Sequence, residues 1–247
     1  MKFLYAVILL IIVACSCGAV KEQKEIKGIK YSFCFPRVTM QGKLIGYDTV
    51  VKFLYFYDNQ VFCNFIYRHD SFENNTFITS EWKHVYFTFS KGSKYGLIFS
   101  DTNNKKAERV SADSMLKLHW PTIHADSALS EKRNNVKFID KSFNADSGIL
   151  TERYEAKNDM DTATRVDLIL RYSNKINVKE YSFSRKLDSL RQMKLYFFKM
   201  TVKPRYFGKE NYLLDSFDTI YFFEEIPVTN KEELMYYFKQ GQKMDSN

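Results

Sequence analysis

The stretch Val50-Val51-Lys52-Phe53-Leu54-Tyr55-Phe56-Tyr57-Asp58-Asn59-Gln60-Val61-Phe62-Cys63-Asn64-Phe65-Ile66-Tyr67 decides the fold class. Its first eight residues place apolar side chains on both parities: Val51, Phe53, Tyr55 and Tyr57 on one, Val50, Leu54 and Phe56 on the other. Successive side chains of a strand point to opposite faces, so this run reads as a central strand covered on both sides. Asp58-Asn59-Gln60 reads as a short turn, and Val61, Cys63, Phe65 and Tyr67 then resume the period of two as far as His69. The two runs form a hairpin.

Outward from this hairpin the pattern repeats. Upstream, residues 28–40 alternate through Ile29, Tyr31, Phe33 and Phe35, and Pro36 marks the strand as an edge or a bulge. Downstream, short strands are expected at 76–80, 83–90 and 94–100, with Ser90-Lys91-Gly92-Ser93 as a turn. A second group is expected at 136–143, 148–156, 163–172, 178–183, 195–203 and 219–226. There Val166, Leu168, Leu170 and Tyr172 oppose Arg165, Asp167 and Arg171, a one-sided strand. Three short helices fit between and after these strands. The first spans 111–117 with Ser111 as its cap. The second spans 184–193, with Leu187 and Leu190 on one face. The third spans 230–240: Asn230 caps it, Glu233 completes the capping box, Leu234, Tyr237 and Phe238 form its stripe, and Gly241 ends it. The expected fold is mainly β (β-rich α+β): an antiparallel, curved or half-barrel-like sheet with a few short helices. One domain is expected over 28–241, with a weak internal boundary near 101–135 and a flexible tail at 242–247.

Composition agrees with strands. The chain holds 22 Phe and 17 Tyr against 4 Pro and 9 Gly, and aromatic residues suit a pleated, half-buried surface. Net charge is +8, but the signs interleave, as in Lys105-Lys106-Ala107-Glu108-Arg109 and Glu131-Lys132-Arg133. No block of five like charges occurs, so the basic residues read as a solvated surface and nucleic acid is not an expected partner.

The N-terminus carries an address. Met1-Lys2 is followed by an apolar run over 3–13 and then by Ala14-Cys15, the three parts of an export signal. Ile12-Val13-Ala14-Cys15 resembles the lipobox of bacterial lipoprotein precursors. The resemblance implies a signal peptide at 1–14 and a mature N-terminus at Cys15, the lipidation site. A tether at 15–27 would then hold the domain to a membrane of the cell envelope. A cleaved signal without lipid is the alternative, since Cys17-Gly18-Ala19 is a second small-residue exit. A spanning helix needs about 20 apolar residues, and Ser16, Cys17 and the charged run Lys21-Glu22-Gln23-Lys24-Glu25 arrive too early.

Of the remaining cysteines, Cys34 and Cys63 fall on opposite parities of their strands if both apolar rows face one core, so no disulfide is expected between them. The histidines, His69, His84, His119 and His124, lack a metal-ligand spacing, and Pro121 prevents His119 and His124 from stacking on one helix face. Asp159-Met160-Asp161 opens like a calcium loop, but Ala163 and Thr164 stand where an oxygen ligand and a glycine belong. Glu224-Glu225 splits across a strand. There is no nucleophile elbow, zinc-protease motif or phosphate loop. No catalytic residue, metal or cofactor is therefore expected. Phe53, Tyr55, Tyr196 and Phe198 supply aromatic surface that reads first as ordinary core packing between sheet and helices, and otherwise as the lining of an apolar groove. The expected function is an exported, lipid-anchored, non-catalytic binding or envelope-assembly module, with an envelope protein or a hydrophobic ligand as partner. The alternatives are a carrier holding a hydrophobic ligand in that groove, and a hydrolase whose site escapes sequence reading.

Overall fold

The computed structural model describes residues 25–73, 76–99, 106–119, 129, 134–158, 161–207 and 212–245. The first part of the chain is a meander: β1 (Lys27–Val38), β2 (Leu44–Tyr57), β3 (Gln60–Glu73), β4 (Thr76–Ser90), β5 (Tyr95–Phe99) and β6 (Ala107–Ser111). Helix α1 (Ala112–His119) follows, then β7 (Asn134–Asn144), β8 (Ile149–Asn158) and β9 (Asp161–Ser173). After α2 (Arg185–Arg191) come β10 (Lys194–Val202), β11 (Arg205–Phe207), β12 (Tyr212–Leu214), β13 (Phe217–Ile226) and α3 (Lys231–Asp245). Among the described residues eleven strands form one antiparallel sheet, as the strand pattern predicts; it is open, in the order β6-β5-β4-β3-β2-β1-β13-β10-β9-β8-β7. Strands β11 and β12, a small separate hairpin, have no counterpart in the sequence reading.

The register shows why each face is apolar. Ile29 stands opposite Leu54, and Leu54 opposite Cys63; Tyr31 stands opposite Phe223, and Phe198 opposite Leu170. These residues share the front face and one buried cluster drawn from both halves of the chain. Helix α1 and residues 176–187 cover part of that face. On the back face α3 lays Leu234, Tyr237 and Phe238 over Phe62 and Phe99. Burying each of those three side chains contributes about 1.5–3 kcal/mol. Both parities of β2 and β3 are apolar because both faces are covered there.

Several expectations change. β1 is the centre of the sheet and not an edge, but the bulge alternative holds: its register with β2 shifts between Arg37 and Val38, beside Pro36. Pro36 is tolerated because β1 pairs with β13 only as far as Cys34, so at the proline one side of the strand has already parted from its neighbour. Residues 76–90 form one strand instead of two, since β3 runs alongside β4 from Gln60–Ser90 to Glu73–Thr76. The 101–135 stretch contains β6, which extends the first meander.

Residues 178–183 are not a strand. Val178, Tyr181 and Phe183 are buried against the front face, with Tyr181 and Phe183 meeting Phe223 edge-on at 5.1 and 5.0 Å. Glu225 accepts the Asn177 and Val178 N–H groups, the latter at 2.9 Å, so a side chain stands in for a strand neighbour. Leu190 does not share the packed face of Leu187: it is 61% exposed.

Helix α3 passes through Gly241 to Asp245, so residues 242–245 are helical and not a tail. A Cβ at 241 would lie 2.5 Å from Gln60 Oε1. The glycine allows the close approach of helix and sheet, a use indistinguishable in sequence from a helix stop. Cys34 and Cys63 are free and on opposite faces, as parity predicts.

Candidate binding surface

The four aromatic residues proposed for a groove do not share one surface. Phe198 is buried in the front-face core. Tyr196 lies at the register irregularity of β10 and packs against that cluster. Phe53 and Tyr55 point to the back face, where Tyr55 meets Phe62 at 6.1 Å beside α3. Cys15 and His124 lie outside the described residues, as do the side chains of His69 and His119. His84 is exposed, with Nδ1 3.2 Å from Asn64 Oδ1. Among the described residues no group of three or more His, Cys, Asp or Glu is placed to hold a metal.

A different apolar surface lies on the front face, toward the β1–β2 hairpin. The end where β1 begins is filled by Val178, Tyr181, Phe183 and Leu187. Farther along, the described residues cover less of the face. Phe33 stacks on Phe35 at 5.1 Å and on Tyr221 at 4.5 Å, and Met200, Val166 and Tyr154 carry the apolar surface across β10, β9 and β8. All six side chains are half-buried. Leu129 packs against the same cluster. Charged pairs bound this shelf toward the hairpin end: Arg37 with Asp48 at 3.5 Å and Lys83 with Glu81 at 2.7 Å.

Lys52 stands within the apolar field. Its strand partners are Tyr31 and Phe65, and its Nζ lies 5.4 Å from the centre of the Phe65 ring. Burial lowers its pKa, as expected for a cation drawn out of water. Burial likewise pushes the Tyr31 hydroxyl well up. A partly desolvated ammonium beside an apolar shelf suits a ligand with both an apolar body and a negative end. The sequence contains a signal for it: Lys52 is the one cation in the row Val50, Lys52, Leu54, Phe56. The Phe33–Tyr221 stack was hidden, because it depends on β1 pairing with β13.

The front face also holds a carboxylate that looks catalytic by burial but is saturated by its partners. Glu152 is 2% exposed; Oε1 accepts from Arg191 Nε at 2.6 Å, and Oε2 from Tyr154 and Tyr172 hydroxyls at 2.8 and 3.2 Å. Burial and the hydrogen bond to Glu152 push the Tyr154 hydroxyl up to about 12. The cluster pins α2 to β8. Asp188 completes the attachment by accepting from Leu195 N–H and the Ser182 hydroxyl, both at 2.7 Å. Ser184 caps α2 through the Leu187 N–H.

Two clefts lie elsewhere. One, of about 460 Å³, opens where the chain enters β1 and is lined by groups of both signs, Glu25, Glu225, Lys27 and Lys231. The other, of about 450 Å³, follows the β7–β8 turn past Ser142, Asn144, Ser147 and Arg171. Neither brings a hydroxyl or thiol nucleophile together with a histidine. No protein-family model matches the chain, and no curated protein matches it.

Proposed function

We propose that this protein is an exported, lipid-anchored module of the bacterial cell envelope that binds an apolar partner without turning it over. The observation that supports binding is the half-buried shelf of Phe33, Phe35, Tyr221, Met200, Val166 and Tyr154, which continues the core toward solvent. Half-buried apolar side chains gathered on one face offer a partner an apolar contact that extends the core. The anchor rests on the lipobox resemblance at Cys15. Cys15→Ser should abolish metabolic labelling by palmitate and lower membrane retention.

Lys52 favours a second reading, a carrier of an amphiphilic ligand, because its ammonium offers a counter-charge at the border of the shelf. One experiment separates the readings. A fluorescent fatty acid is titrated into the Cys15→Ser chain, alongside a screen of ester, peptide and glycoside substrates. A carrier binds it saturably and loses affinity in Lys52→Met. A protein-docking module leaves it unbound, and saturable turnover of any substrate would overturn both.

A further inference from the structure

The open sheet ends in two unlike edges. β6 is five residues long and sets Glu108 and Arg109 at its middle, the short charged edge by which proteins discourage strand pairing. β7 is eleven residues long, and among the described residues its outer backbone row has no strand partner. It also leaves Phe138, Ile139 and Phe143 exposed by 48%, 47% and 56%. A long edge with exposed apolar side chains is a template for another strand.

We propose that β7 pairs with β7 of a second copy of this chain, antiparallel about a two-fold axis, joining two sheets into one. A register centred between Phe138 and Ile139 makes the edge complementary to itself. Lys137 then stands opposite Asp140 of the second copy, Phe138 opposite Ile139, and Val136 opposite Lys141, each pairing occurring twice by symmetry. Face parity permits it because of a bulge. Phe138 stands opposite Tyr154 and Asp140 opposite Arg153, leaving Ile139 as the extra residue. The insertion puts Lys137 and Asp140 on one face of the sheet, which an unbroken strand would forbid. Shifting the register by one residue either way brings together residues on opposite faces of the sheet, Lys137 with Lys141 or Val136 with Asp140, and loses the charge pair. Unlike charges opposite one another favour a pairing and like charges oppose it. A foreign strand would find the same open backbone but no reason to match this order of charges.

The mass of the Cys15→Ser chain in solution, measured by light scattering at tens of micromolar, tests the proposal without lipid-driven clustering. A dimer is expected. Ile139→Lys should weaken it by roughly tenfold or more, since a charge then faces Phe138 at both symmetric positions. Leu190→Lys, on an exposed helix position, should leave it intact, and circular dichroism shows that each variant folds. With Cys17 and Cys34 also replaced by serine, mixing Lys137→Cys with Asp140→Cys chains under mild oxidation should give a cross-linked dimer, which neither chain forms alone. A monomeric wild type, a dimer indifferent to Ile139→Lys, cross-linking in either single preparation, or pairing only with a foreign chain would each overturn it.

Discussion

Replacing Arg191 by methionine removes the one cation that faces a carboxylate buried on the front face. Glu152 is 2% exposed, whereas the Arg191 side chain is one-third exposed. Breaking a fully buried ion pair by removing one partner costs about 3–5 kcal/mol. Water reaches the arginine side, and Tyr154 and Tyr172 still donate to Glu152, so the cost falls to about 2–3 kcal/mol. For a folded body of this size that lowers Tm by roughly 5–10 °C. The effect comes from the stranded charge and not from lost attraction alone. Glu152→Gln/Arg191→Met should therefore be more stable than Arg191→Met, because a neutral amide is cheaper to bury and its oxygen still accepts from both tyrosines. Urea unfolding followed by far-ultraviolet circular dichroism measures both. A single variant within about 0.5 kcal/mol of wild type, or a double variant weaker than the single, would refute this account of the cluster.

Alkaline pH should destabilise the fold. Burial raises the hydroxyls of Tyr31, Tyr154, Tyr172 and Tyr181 above the ordinary value of 10.0. Above that value the unfolded chain releases protons that the folded chain retains, so stability falls as pH rises from 10. Lys52, lowered by burial, gives the opposite slope up to 10.5, but one group opposes four. Melting curves between pH 8 and 11.5 check this. Gly96→Ala should cost about 1–3 kcal/mol or more, because its Cβ would lie 2.4 Å from Phe87 Cε2 and 2.7 Å from the Thr88 carbonyl oxygen, which is backbone and cannot swing away; denaturant midpoints report it. Iodoacetamide should label Cys34 in the native protein and Cys63 only after unfolding, since Cys63 is buried and its thiol is pushed well up by desolvation. Peptide mass mapping distinguishes the two.

The local part of this fold is legible in the chain. The period of two places the β2–β3 turn at Asp58-Asn59-Gln60, one residue longer than the turn observed because Gln60 already pairs with Tyr57; it also assigns Cys34 and Cys63 to opposite faces, and separates Leu168 and Leu170 from Asp167 and Arg171. Pairing between distant strands is not legible, because periodicity names a strand's faces but never its neighbour. β13 follows β1 by nearly 180 residues, and without that pairing β1 reads as an edge. The same blindness hides the shelf, since Phe33 and Tyr221 meet only through it. Val178, Tyr181 and Phe183 resemble a strand because burial and strand formation draw on the same side chains; the Glu225 carboxylate, not a backbone ladder, holds that segment. Of the aromatic residues that the sequence offers either to core packing or to a groove, Phe53 and Phe198 sit on opposite faces because β2 and β10 present them at opposite parity.

The front-face shelf is the proposed binding surface. The most direct measurement is the affinity of the Cys15→Ser chain for a fluorescent apolar probe, compared with Phe35→Ser and Met200→Gln. Both residues are half-buried, so the variants remove apolar lining while the buried core beneath stays in place. Each exchange should weaken probe binding by roughly four- to fifteenfold, the loss expected for about one to two buried methylene groups. Ile45→Ser, at an exposed hairpin position, should leave affinity unchanged. Equal affinity in all four proteins, or a loss only in Ile45→Ser, would contradict the shelf as the binding surface.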